Sequence, residues 1–178
     1  MSSPLRIALA KRNATMAAQL AELGQQTFHD TYAAQNTPED MALYLAENFG
    51  PEQQLAELQD PDTYFLLAYM QQEIVGYAKL HVGSELGAKP NEDVRTRAEL
   101  QRLYVKTDWI GTGLGAALLR RCFDEVRSHG CRSLVLTVWE KNARAQEFYQ
   151  RKGFKQIGET TFRVGNDMQN DFILRKGL

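Results

Sequence analysis

Residues 105–119 read VKTDWIGTGLGAALL, from Val105 to Leu119. A strand-like run ends at Val105. Three alternating glycines follow at Gly111, Gly113 and Gly115, and an amphipathic pattern runs from Gly113 to about His129. Glycines let a backbone approach a ligand closely. The first turn of a helix has N–H groups with no intrahelical partner, and the helix dipole adds positive potential there. A strand, a glycine turn and a helix start together suit a phosphate or pyrophosphate. A tight strand–helix turn with no ligand is the plainer alternative. The spacing is neither a Walker motif nor a Rossmann fingerprint: no Gly-Lys-Ser/Thr follows, and G-x-G-x-x-G is not met.

Outward from this turn, the patterns alternate. Arg6–Ala10 is a short strand. Asn13 or Thr15 can cap a helix that runs to about Tyr32. Thr37-Pro38 starts a second helix, with Asp40 placed to complete a capping box. Pro51 opens a further turn or short helix through Leu58. Residues 63–70 and 73–82 read as a hairpin across Gln71-Gln72. Residues 83–97 form a polar loop, and 98–105 the next strand. Ser133–Val138 is continuously apolar, as in a strand buried on both faces. A helix from Asn142 to Lys152 ends at Gly153. Two strands near 155–164 and 168–175 close the chain around a Gly165-Asn166-Asp167 turn. This order predicts one α/β (α+β mixed) domain over residues 1–178, with a mixed sheet.

Composition bounds the function. The chain has 178 residues, with 21 Lys and Arg against 22 Asp and Glu. This length favours one domain with a substantial core. The near-neutral total hides a split. Residues 13–78 contain no Lys or Arg but ten acids, whereas 99–178 hold 14 bases and nine acids. The split suggests an anion handled by the second half and a cation by the first. A dedicated nucleic-acid binder is disfavoured. No run is long enough to span a bilayer, and Met1–Arg6 lacks a signal-peptide pattern, so a cytoplasmic protein without membrane partners is expected. Cys122 and Cys131 form no CxxC, so no metal is expected.

A second segment, Val138 to Phe154, reads VWEKNARAQEFYQRKGF. Together the two segments resemble the GCN5-related N-acetyltransferase (GNAT) superfamily. The motifs that carry the likeness are the G-x-G-x-G turn and the block N-x-x-A-x-x-F-Y-x-x-x-G-F, which starts at Asn142. More narrowly, residues 27–32, 35–36, 99–105 and 138–142 resemble the bacterial Pai-type spermidine/spermine N-acetyltransferases. The resemblance implies a twisted sheet of about seven strands splayed between its fourth and fifth, with about four helices. It implies acetyl-CoA as co-substrate and a small-molecule amine acceptor, with a polyamine preferred. It allows a homodimer.

The resemblance also implies roles for single residues. Leu103, Tyr104 and Val105 would pair with pantetheine, and Gly111, Thr112, Gly113, Leu114, Gly115 and Ala116 would cradle the pyrophosphate. Asn142 would bond pantetheine, or serve only as a helix cap. Tyr149, two turns further on, would protonate the departing thiolate, or serve only as a core aromatic. Related enzymes carry an acid where this chain has Gln101, which cannot take a proton. Glu99, two residues earlier on the same strand face, is then the first candidate base, with Glu140 and a water chain as alternatives. Asp108 and Ile110 stand where the family tends to place Arg or Gln, which leaves Lys106, Arg120 or Arg121 to assist the phosphates. His29, Asp30, Tyr32, Glu39, Asp40 and Gln101 are candidate acceptor-side residues. Trp109 and Trp139 are read as packing. Acetylation of protein N-termini, lysines or antibiotic amines, or acyl-CoA binding without turnover, are the rival readings.

Overall fold

Local chemistry decides where the helices begin. Asn13 caps α1 (Ala14–Tyr32) by accepting from the Met16 N–H at 2.8 Å. Thr37 caps α2 (Pro38–Asn48) by accepting from the Asp40 N–H at 3.1 Å. Proline takes the first position in both α2 and α3 (Pro51–Gln59), where no N–H is needed. The stretch after Pro51 is thus a full helix. With α4 (Leu114–Ser128) and α5 (Ala143–Arg151), the described residues form five α-helices where about four were expected.

The strands are β1 (Arg6–Leu9), β2 (Thr63–Met70), β3 (Glu73–Val82), β4 (Arg97–Val105), β5 (Ser133–Trp139), β6 (Lys155–Val164) and β7 (Asp167–Gly177). They form one seven-stranded sheet in the order β1-β2-β3-β4-β5-β7-β6 in this computed structural model, which describes residues 4–178. Met1, Ser2 and Ser3, part of the N-terminus read above as carrying no signal peptide, lie outside the described residues. Among the described residues no helix is long and apolar enough to cross a membrane.

Among the described residues only β4 and β5 pair in parallel, and they do so over three residues: Arg97 with Ser133, Ala98 with Leu134, Glu99 with Val135. Beyond Glu99 the two strands part. The break coincides with a bulge. On the β3 side, Leu80 faces Leu100 and Lys79 faces Arg102, so Gln101 is the extra residue. A bulge bends its strand and re-aims side chains, here where the sheet must open.

Two layers cover the sheet. On one face Leu114, Leu118, Leu119 and Cys122 of α4 and Tyr149 of α5 pack on Ala98, Leu100, Leu134 and Leu136. On the other, Met16, Leu20 and Leu23 of α1 and Leu58 of α3 pack on Phe65, Leu67 and Tyr77. A third, aromatic cluster of Phe28, Phe49, Tyr32, Tyr44, Tyr104 and Phe162 joins α1 and α2 to the open part of the sheet.

Two long-range anchors set the walls of this third cluster. The Gln169 amide donates to Asn36 Oδ1 at 2.6 Å, and the Asn166 N–H donates to Asp40 Oδ1 at 2.8 Å. Gly165 makes the second anchor feasible. Its φ is +60°, and a Cβ there would sit 2.4 Å from the Asp40 Cα. Gly165→Ala is expected to cost roughly 2–3 kcal/mol, from backbone strain plus overpacking, as read by urea unfolding. A loss under about 0.5 kcal/mol would mean that the turn and α2 are free to separate.

Candidate active site

The glycine turn leads into α4 with its N-terminal donors open. Gly111 and Gly113 have φ of +82° and +88°, a region that L side chains rarely adopt. A Cβ at either would meet nothing within 4 Å, so backbone conformation selects glycine while the space above stays clear. Gly113 caps the helix without a side-chain hydrogen bond, and the first turn carries no acid. The Ala117 N–H, bonded to the Gly113 carbonyl, is the first donor of the helix to find its backbone partner. A pyrophosphate fits such a set of free N–H groups. Of the three bases expected to assist, Lys106 pairs with Glu73 at 2.7 Å and Arg121 with Glu125 at 2.8 Å.

The backbone of Leu103, Tyr104 and Val105 pairs with Ala78, Tyr77 and Gly76 of β3 and has no β5 partner on its other side. Across the gap, Asn142 caps α5, accepting from the Ala145 N–H at 3.2 Å. Tyr149 is buried, with its ring 5.2 Å from Phe148 and 5.4 Å from Phe154. Burial, then the nearby Tyr32 phenol and Cys122, raises its pKa, so the phenol holds its proton at neutral pH.

Where β4 and β5 separate, a cavity of about 80 Å³ opens on the face opposite α4. Its walls are mostly aromatic. Phe28 and Tyr44 stack at 4.4 Å, Tyr44 lies 5.6 Å from Phe162, and Tyr32 meets Trp139 edge-on at 5.8 Å. Trp139, read from sequence as packing, therefore also forms a wall. The polar walls are Gln101, Arg102, Thr137, Gln169 and Asp171. Arg102 is engaged, since two of its nitrogens donate to the Glu57 carboxylate at 2.9 and 3.1 Å. A larger groove of about 520 Å³ lies beside β1, three strands from the splay, and among the described residues its lining contains no acid.

Asp171 differs from every other group in this cavity. It is 5% exposed, and its Oδ1 has no hydrogen-bond partner. Burial raises its pKa to about 6, against a lowering contribution from the Thr137 hydroxyl and with a smaller push from Glu140. A buried carboxylate left half-satisfied in an apolar setting is costly and marks a candidate site. The sequence reading missed it. The available signal was strand alternation: Gln169, Asp171 and Ile173 share one inward face of β7.

The expected acceptor-side residues divide. Tyr32 and Gln101 reach the cavity. His29 and Asp30 are exposed on α1, 3.8 Å apart, with Asp30 accepting from Thr107. Glu39 is exposed, and Asp40 is engaged by the Asn166 N–H. Glu99 accepts from the Ser84 hydroxyl at 2.9 Å and is not part of the cavity wall. Glu140 accepts from the Asn170 amide at 3.3 Å.

This geometry can be set beside known proteins. The pattern of the acetyltransferase (GNAT) family matches residues 25–154. An uncharacterized N-acetyltransferase of Lactobacillus delbrueckii subsp. lactis is 32% identical over 157 residues, 88% of this chain and 88% of that protein. The spermidine N(1)-acetyltransferase of Thermoplasma acidophilum is 25% identical over 161 residues, again 88% of each. In structure, the PaiA N-acetyltransferase of Thermoplasma acidophilum in complex with coenzyme A superposes with a TM-score of 0.76 at 23% identity, covering 97% of this chain and 99% of that one. That likeness establishes a shared fold, and the family match, which spans both glycine turn and Asn–Tyr block, establishes more: the chain belongs to the acetyltransferase (GNAT) family.

Proposed function

We propose that the chain, as an acetyl-CoA-dependent N-acetyltransferase, acts on a primary amine of the polyamine class, by direct attack in a ternary complex. One observation carries the acceptor class: a buried carboxylate with a free oxygen, Asp171, stands in a cavity walled by aromatic rings. Aromatic faces and an anion together favour an alkylammonium over a neutral or anionic ligand. An acceptor with its own acid group is the second reading, because Arg102 also forms a wall. The fork of Arg102 onto Glu57 argues against it, since that cation is already compensated. The name of the Thermoplasma relative, a spermidine acetyltransferase, supports the preferred class.

Acetyl-CoA, when bound, supplies an activated thioester carbonyl. Residues 111–116 would hold its pyrophosphate through backbone N–H groups. The free edge of Leu103–Val105 would pair with its amides, as an added strand does. Asn142 fixes the start of α5 through its cap and so sets the direction of the helix that carries Tyr149. Tyr149, still protonated at neutral pH, would give its proton to the departing sulfur.

The test is thiol release from acetyl-CoA with a panel of amines. Release with spermidine or spermine, but not with peptides or aminoglycosides, is expected. Tyr149→Phe should lower kcat by about tenfold or more while coenzyme A still binds by calorimetry. Unchanged turnover would remove the phenol from the mechanism. Coenzyme A binding with no release for any amine would leave a binding module.

A further inference from the structure

The acceptor ammonium must lose a proton before its nitrogen can attack, and neither the glycine turn nor Tyr149 provides for that. We infer that Asp171, through its free Oδ1, receives the ammonium in the aromatic cavity and takes that proton. The inference rests on the proposed reading that the acceptor is an amine.

Position is the first argument. Asp171 lies opposite Trp139 in the β5–β7 register, at the end of the strand that borders the splay. It therefore stands beside the gap where β4 has lost its β5 partner, on the cavity side of the sheet. Satisfaction is the second. Buried side-chain oxygens without partners are rare in folded proteins, and this one belongs to a residue that lines the cavity. A protonated amine brings the donors that the protein does not provide.

Elimination is the third. Gln101 lines the cavity but cannot accept a proton, and Glu99 is held by Ser84 outside it. The charged and titratable groups around Asp171 are few. Tyr32 faces it from α1, Tyr44 from α2, Arg102 and Tyr104 from β4, and Glu140 from the end of β5. The phenols of Tyr32, Tyr44 and Tyr104 are all pushed above their ordinary values by burial, so they stay neutral. Arg102 is tied to Glu57. Burial brings Asp171 to about 6, closer to the operating pH of a general base than an ordinary aspartate.

The step balances. One N–H bond of the ammonium breaks and an O–H bond forms on Asp171, which becomes a neutral acid. The freed nitrogen pair forms the new N–C bond as the C–S bond breaks, and Tyr149 protonates the sulfur. The second proton shed by the nitrogen restores the Tyr149 phenol. Asp171 returns its proton to solvent, so one proton is released per acetyl transferred.

Two measurements test this on the intact protein. The pH profile of kcat/KM should show a limb near 6 that disappears in Asp171→Asn, with the rate down by about a hundredfold or more and coenzyme A affinity unchanged. In 13C spectra of the aspartate carboxyls, the resonance missing from Asp171→Asn should titrate near 6, and lower once coenzyme A and propylamine are both added. A limb that survives in Asp171→Asn, or that moves with Glu99→Gln instead, overturns the inference. So does a carboxyl resonance indifferent to the amine. If polyamines fail and another amine is turned over, the acceptor class falls and that amine is used for the profile. If no amine is turned over, the resonance still decides.

Discussion

Asp171→Asn should stabilise the protein at pH 8 by roughly 3 kcal/mol, even as it removes turnover. An ordinary aspartate ionises near 3.8, and the folded chain delays ionisation of Asp171 to about 6. Each tenfold change in acidity corresponds to roughly 1.4 kcal/mol, which sets that size. The sign follows from proton binding. The folded state holds this proton more tightly than the unfolded state, so stability falls as pH rises from about 4 to 6 and stays lower above. Asparagine has the same shape and no charge to bury. The gain should therefore be full at pH 8, partial between 4 and 6, and absent near pH 3. For a chain of this size the melting temperature at pH 8 should rise by roughly 6–12 °C. Thermal unfolding of both proteins across that range provides the check. A gain that is the same at every pH would mean repacking rather than relief of a buried charge. A loss at pH 8 would mean that Asp171 has a partner in the folded chain. Stability held back at one position in this way is the usual mark of a group kept for function.

What the sequence made legible was local. Asn13, Thr37 and Pro51 mark helix starts because caps and proline act over a few residues. The glycine turn was readable because positive φ demands glycine at Gly111 and Gly113 themselves. The splay between the fourth and fifth strands was expected from the family likeness, and the short pairing of β4 with β5 bears it out, whereas the full strand order came only with the structure. The bulge at Gln101 was not legible. It depends on how β3 is registered against β4, and no residue type announces it.

The acceptor side shows the limit most clearly. Ten acids with no base among residues 13–78 suggested an acidic field waiting for a cation. Several of those acids find partners from distant parts of the chain. Asp62 pairs with Arg95, Glu73 with Lys106, Asp60 with His81, and Glu57 with Lys79 and Arg102. A one-dimensional charge count cannot see pairs that fold brings together. Asp171 was hidden for the complementary reason. It lies in the basic half, and only its burial and its free oxygen set it apart.

Glu57 offers the second large effect. Glu57→Gln should destabilise the protein by roughly 3–5 kcal/mol in urea unfolding. Its carboxylate takes the Arg102 fork and lies 3.1 Å from Lys79 Nζ, and all three side chains are only 11–12% exposed. Burial alone would raise the Glu57 pKa, but Arg102 and Lys79 more than offset it and hold the group ionised. Without that anion two buried cations face each other. Lys79 is the weaker of the two, since burial and then Arg102 already loosen its proton. Lys79→Met in the wild type should therefore cost little, because the Arg102–Glu57 fork remains. In the Glu57→Gln background the same change should restore part of the loss, by removing one of the two cations. That opposite sign in a double-mutant cycle distinguishes a charge cluster from simple loss of packing. Strictly additive effects, or a Glu57→Gln cost under about 1 kcal/mol, would mean that water already screens the three charges. The cluster also borders the cavity through Arg102. Once released from Glu57, that guanidinium becomes an uncompensated cation in the wall of the cavity that Asp171 also lines. The KM for a cationic amine should then rise while coenzyme A affinity is unchanged, because α4, which the glycine turn leads into, packs on the opposite face of the sheet from α3.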